Sequence, residues 1–205
     1  MLVIGLTGRS CAGKNRYADE FGAQEGVTVI DVDRLGHAAL AANADSIVET
    51  FGSGVLAADG SIDRKALGSI VFADSRLLAQ LEAISHPWMV EECARLVSAA
   101  RASGRRAVVL NAALLHRMGL DRLCDVVVFI KAPFYERYRR AKERDHVSWQ
   151  MFRRREQAQA DIDPDAFGDA RIVLVWRNDG DPSLIHRQVV EFCDTMDKTI
   201  SLSQG

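Results

Sequence analysis

The clearest chemical signal in the chain is the run Gly8-Arg9-Ser10-Cys11-Ala12-Gly13-Lys14-Asn15. Glycine relaxes the steric limits on the backbone, so Gly8 and Gly13 let the chain bend tightly with successive N–H groups facing one point. Such a concavity holds an anion. Lys14 adds a mobile cation, and a helix that begins there adds the positive end of its dipole. An apolar run precedes the loop and a helical pattern follows it, which is the context required of a Walker A phosphate loop. The pattern predicts that Gly8, Ser10, Cys11, Ala12, Gly13, Lys14, Asn15 and Arg16 grip the phosphates of a nucleoside triphosphate. A strand-to-helix turn with incidental Gly and Lys is the plainer alternative. The residue after the lysine is ordinarily Ser or Thr, whose hydroxyl binds Mg²⁺. Asn15 stands there instead, and its amide oxygen is the candidate metal ligand.

Positioning that loop requires a scaffold. Short apolar runs at Leu2 to Leu6, Val27 to Ile30, Ala107 to Leu110, Val126 to Ile130 and Ile172 to Trp176 lack polar alternation, which is the mark of parallel strands covered on both faces. Helical patterns fill the gaps at Lys14 to Phe21, Ala44 to Phe51, Asp63 to Phe72, Ser75 to Ile84, His86 to Ser103, Phe134 to Arg144, Ser148 to Ala160 and Pro182 to Met196. The expected fold class is α/β: a three-layer parallel sheet of about five strands with helices on both faces, as in P-loop nucleotide-binding proteins. Two stretches break the alternation, a strandless region over 44–103 and an arginine-rich helix pair over 134–165. Both suit the carboxyl edge of the sheet, where open α/β folds bind ligands. The tail from Thr199 to Gly205 is polar and expected to fray.

Composition narrows the class further. The 205 residues carry a formal net charge of -2 and a pI near 6.2, unlike the basic footprint of a nucleic-acid binder. Cys11, Cys93, Cys124 and Cys193 are too scattered for a zinc site and are expected to be reduced thiols. The opening run Met1 to Leu6 is too short to span a membrane and has no basic leader. The expectation is a cytoplasmic chain with no membrane or nucleic-acid partner. Oligomeric state is not legible.

The residues Val29-Ile30-Asp31-Val32-Asp33 bring a resemblance into view. With Ile4-Gly5-Leu6-Thr7-Gly8 and the loop, they resemble the dephospho-CoA kinase family. The likeness continues through Phe51-Gly52, Asp59 to Leu67, Ile70-Val71-Phe72, His86-Pro87, Leu114-Leu115, Arg140, Arg144-Asp145, Arg153, Gln157 and Asn178-Asp179-Gly180. The resemblance implies transfer of the ATP γ-phosphate to the ribose 3′-hydroxyl of dephospho-CoA, with Mg²⁺, as the last step of coenzyme A synthesis. It implies that Asp33 is the general base and touches the acceptor, as befits a carboxylate just past a strand. Asp31 shares the direction of Asp33 if the strand continues, and a helix cap is the other reading of either. Arg64 and His86 match positions near the acceptor. Arg64 is also readable as a solvated helix residue, and His86, placed before Pro87 at a helix start, as a packed or capping one. The resemblance makes 134–165 a mobile lid, with Arg140 stabilising the transferring charge and Arg144 closing over ATP. These two arginines stand four apart on one helix face and repel unless an anion lies between them. Arg137, Arg139, Arg154 and Arg155 read as a solvated basic face.

The sequence departs from the family near the chemistry. Asn15 replaces the Walker hydroxyl, Arg16 the next Thr, Asn111 and Ala113 stand in the run after the third strand, and Arg117 reverses an expected charge. Ile172-Val173 stands where Ala-Asp is usual, with Gly168-Asp169-Ala170 just upstream. Two other readings therefore stay open: a kinase with a different small-molecule acceptor, or an impaired relative that binds nucleotide or CoA in a regulatory role.

Overall fold

The structure, a computed structural model, describes residues 1–167 and 172–203. The apolar runs form the expected strands, each within a residue or so of the sequence reading: β1 (Leu2–Thr7), β2 (Val27–Asp31), β3 (Ala107–Asn111), β4 (Val126–Lys131) and β5 (Ile172–Arg177). They make one five-stranded parallel sheet in the order β2-β3-β1-β4-β5, with helices on both sides. Strand β1 runs parallel to β3 and β4 at once, pairing Leu6 with Asn111 and with Val128. It is thus held on both edges by strands buried over nearly their whole length, which explains the near-continuous apolar runs.

The sheet belongs to the first of two compact units, residues 1–30 with residue 97 onward. Its core joins Ile4, Leu6 and Val128 to Tyr17 and Phe21 of α1 (Lys14–Gly22) and Val189 of α8 (Pro182–Ser203). Phe21 stacks on Trp176 and meets Phe192 edge-on. Helix α8 runs past Met196, so the tail expected to fray is helical as far as Ser203, while Gln204 and Gly205 lie outside the described residues. So do Gly168, Asp169 and Ala170. The same unit carries α6 (Phe134–Asp145) and α7 (Trp149–Ala158), clustered on Ala141, Val147 and Phe152 with Phe134, Tyr138 and Cys11.

The second unit, residues 31–96, is helical. It holds α2 (Val32–Ala42), α3 (Ala44–Phe51), α4 (Arg64–Val71) and most of α5 (Ser75–Ala102). Its core gathers Ile47, Val55, Leu67 and Val71. Helix α2 was not expected; Gly36 and its run of alanines gave no clear period. The two helices expected at Ser75 to Ile84 and His86 to Ser103 are one helix, α5, with Pro87 inside it. Proline removes one N–H, yet Leu77, Leu81 and Ile84 pack before it, and Cys93 is buried after it. A continuous packed face outweighs one missing hydrogen bond. Among the described residues no helix is long and apolar enough to cross a membrane.

The aromatic contacts of Phe21 generate a stability prediction. Phe21→Ala should cost about 3–5 kcal/mol, read as a lower denaturation midpoint with unchanged slope. A loss below about 1 kcal/mol would contradict the packing described.

Candidate active site

The turn from β1 into α1 has the backbone that the glycines foretold. Gly8 and Gly13 have φ of 145° and 100°, and Cys11 adopts 60° without being glycine. A Cβ on Gly8 would collide with the Ile130 carbonyl, and one on Gly13 with Asn178 Nδ2. Helix α1 starts at Lys14 with Gly13 as its cap and no side-chain cap bond. The first N–H groups of a helix lack intrahelical partners, so an anion can take the place of the missing cap. Lys14 is 9% exposed, and its Nζ donates to the Gly8 carbonyl (3.2 Å). Its ammonium is thereby folded back over the concavity.

N–H groups that face inward leave carbonyls facing outward, and buried carbonyls need donors. Asn178 Nδ2 donates to the Ala12 carbonyl (2.7 Å). Asn178 is fixed in turn: Oδ1 accepts from Gly180 N–H (3.1 Å), and the Asn178 backbone N–H donates to the Lys131 carbonyl (2.8 Å). Arg140 Nη1 donates to the Cys11 and Ala12 carbonyls (3.3 and 3.4 Å). Its Nη2 is buried without a protein partner, which leaves one charged donor available to an anionic ligand.

The helix pair is tied to the loop at several more points. Ser10 N–H donates to Gln159 Oε1 (2.8 Å), and Arg9 donates to the Ile162 and Ala160 carbonyls (2.9 and 3.1 Å). Arg137, expected on a solvated face, is 5% exposed and paired with Glu156; burial is possible because the carboxylate and the Ala132 carbonyl take up its donors. Arg144 pairs with Asp145 (2.7 Å), and this hydrogen bond raises the guanidinium pKa. Arg140 and Arg144 therefore have partners without an intervening anion. Arg117, the reversed charge, binds Asp161 together with His116, and Arg117 holds the Asp161 carboxyl well below the usual carboxylate range.

Two amides meet where the sequence reading expects a metal ligand. Asn111 closes β3 and is 3% exposed, while Asn15 is exposed. Asn111 Nδ2 donates to Asn15 Oδ1 (3.1 Å), and Asn111 Oδ1 is buried with no protein partner. Among the described residues no group of three or more His, Cys, Asp or Glu could hold a metal ion. Amide oxygens are hard donors that suit Mg²⁺, but they carry no charge. The pair fits a cation that brings phosphate oxygens with it.

The remaining expected residues belong to the helical unit. Strand β2 ends at Asp31, whose carboxylate caps α2 by accepting from Arg34 N–H (3.2 Å). Asp33 is exposed in the first turn of that helix. The strand does not continue, so the two carboxylates do not share a strand face. Arg64 is the exposed first residue of α4, after the cap Asp63. His86 is half-buried in the middle of α5 and does not start a helix.

A family model described as dephospho-CoA kinase matches residues 2–180. The chain belongs to the dephospho-CoA kinase family. A dephospho-CoA kinase of Anaeromyxobacter dehalogenans is 38% identical over 90% of this chain and 87% of its own length. One of Geobacter sulfurreducens is 37% identical over 93% and 96%. Among solved structures, TT1252 of Thermus thermophilus superposes with a TM-score of 0.73 at 28% identity, over 95% of this chain and 97% of that one. Within this family member, Arg9, Arg137, Glu156 and Gln159 were missed as loop supports, because their partners lie elsewhere in the sequence. Asn178 was noticed only as part of a recurring tripeptide.

The Arg117–Asp161 pair predicts a pH dependence. A depressed carboxyl pKa contributes stability above the unfolded value, about 3.9, and that stability is lost as pH falls through the lower folded value. Asp161→Asn should lower the melting temperature at pH 7 and converge with the parent protein in acid. Solvent screening of this half-exposed pair limits the effect to about 1 kcal/mol. A constant difference down to the acid limit would contradict the assignment.

Proposed function

We propose that this chain is an ATP-dependent kinase that phosphorylates the ribose 3′-hydroxyl of dephospho-CoA, giving CoA and ADP. Family membership supports the reaction. The observation that carries the reading in this chain is the braced turn at Gly8 to Lys14, with its left-handed backbone at Cys11 and Gly13, uncapped helix start and folded-back ammonium.

In this reading Gly8, Ser10, Cys11, Ala12, Gly13, Lys14, Asn15 and Arg16 bind the triphosphate. Arg144 closes over it from the lid, residues 134–165. Residues 44–103 receive the acceptor, with Arg64 and His86 beside it, and residues 1–205 work as one kinase domain in the cytoplasm. Asp33 accepts the proton as the 3′-oxygen bonds to the γ-phosphorus. The bond from that phosphorus to the bridging oxygen breaks, and ADP leaves with the electron pair. Arg140 Nη2 and Lys14 Nζ offset charge on the transferring group. Asn111 and Asn15 are the residues that would face Mg²⁺, which when bound spreads the charge of the β- and γ-oxygens. The neutral amide pair favours one second reading, a slow or impaired relative that binds nucleotide or CoA in a regulatory role.

One assay separates them. With ATP, Mg²⁺ and dephospho-CoA, the protein should form CoA, and Asp33→Asn or Lys14→Met should each reduce kcat about a hundredfold or more. Tight ATP binding with no turnover above that of Asp33→Asn would favour the second reading.

A further inference from the structure

The expected metal position holds an unexplained feature: the side-chain oxygen Oδ1 of Asn111 is buried and without a donor. A buried acceptor left unpaired costs about 1–3 kcal/mol, so a fold that retains one points to a ligand. We propose that Asn111, rather than Asn15, gives this chain's side-chain contact to the cation of a metal–nucleotide complex, and that Asn15 is the strut that aims it. This proposal rests on the ATP-dependent reading above.

The geometry separates the roles of the two amides. Asn15 Oδ1 already accepts from Asn111 Nδ2 (3.1 Å), and the partial positive charge of that N–H opposes a cation at the same oxygen. The same bond directs the Asn111 nitrogen to Asn15, so its own oxygen points away from Asn15. The backbone beneath is rigid. Asn111 pairs with Leu6 in the sheet, and the next N–H, of Ala112, donates to the Leu6 carbonyl (3.0 Å). The oxygen thus stands beside the strand that leads into the phosphate loop. A cation, or the proton of a water bound to one, satisfies it; both place a positive end at the same atom. Asn15 is exposed, and an exposed amide alone would hold its orientation poorly. Burial of Asn111 supplies the rigidity that a second-shell partner ordinarily gives a ligand.

The charge count sets the consequence. Metal affinity at oxygen sites rises with the number of anionic ligands, and this pair supplies none. The protein without nucleotide should hold divalent cations weakly, and the cation should join with the triphosphate.

The experiment uses Mn²⁺, which takes the same oxygen donors, with unbound Mn²⁺ read by electron paramagnetic resonance. Full-length protein is titrated with Mn²⁺ alone and with a non-hydrolysable ATP analogue present. Metal-free analogue affinity is measured separately in EDTA. The unmodified chain should bind Mn²⁺ measurably only with the analogue. Asn111→Ala should weaken Mn²⁺ in that complex about tenfold while leaving the EDTA affinity unchanged. The near-isosteric Asn111→Asp, whose fold is checked by thermal unfolding, should bind Mn²⁺ without nucleotide. Asn15→Ala should lose less than Asn111→Ala. Unchanged Mn²⁺ affinity in Asn111→Ala with a loss in Asn15→Ala would overturn the assignment. So would nucleotide-free Mn²⁺ binding by the unmodified chain equal to that of Asn111→Asp. If the analogue failed to bind in EDTA or with metal, the kinase reading itself would fall.

Discussion

The phosphate loop depends on what holds its carbonyls. A backbone that turns its N–H groups toward an anion must turn its C=O groups toward protein, and each buried one needs a donor. Here the Ala12 carbonyl receives Asn178 and Arg140, and the Cys11 carbonyl receives Arg140. Asn178 is held by Gly180 and by the end of β4. The concavity is therefore formed before any ligand arrives, and binding need not supply the energy to order it.

The positive charge around the loop is managed within the same unit. Arg137 is neutralised by Glu156, Arg144 by Asp145, and Arg117 by Asp161. The first joins α6 to α7, the second lies within α6, and the third ties the segment after β3 to the one after α7. Arg140 differs: carbonyl dipoles hold one of its nitrogens while another stays buried without a partner. An arginine so placed keeps most of its charge for an incoming anion. The inserted cation at residue 117 thus changes the lattice of ion pairs, not the charge that faces the loop.

Much of this was legible from the sequence. Strands buried on both faces need unbroken apolar runs, so their positions followed directly. The loop was legible because its conformations demand glycine at Gly8 and Gly13. Helix α2 was not, since Gly36 and small residues hide its period, and Pro87 suggested a break that packing overrides. The braces were the least legible part. Asn178 and Ala12 stand far apart in the chain, and only the order β1-β4-β5 brings them together. Arg137 reads as a surface residue until its pairing with Glu156 is seen. The Asn15 and Asn111 departures were visible as letters, but their mutual hydrogen bond depends on the pairing of β1 with β3.

The central claim is that a preformed, externally braced nest from Gly8 to Asn15 takes the triphosphate. A crystal structure with a non-hydrolysable ATP analogue tests it most directly. The account predicts phosphate oxygens within hydrogen-bond reach of the loop N–H groups and Lys14 Nζ, with Asn178 still bonded to the Ala12 carbonyl. An analogue bound elsewhere, or a loop that flips the Ala12 carbonyl inward on binding, would contradict it.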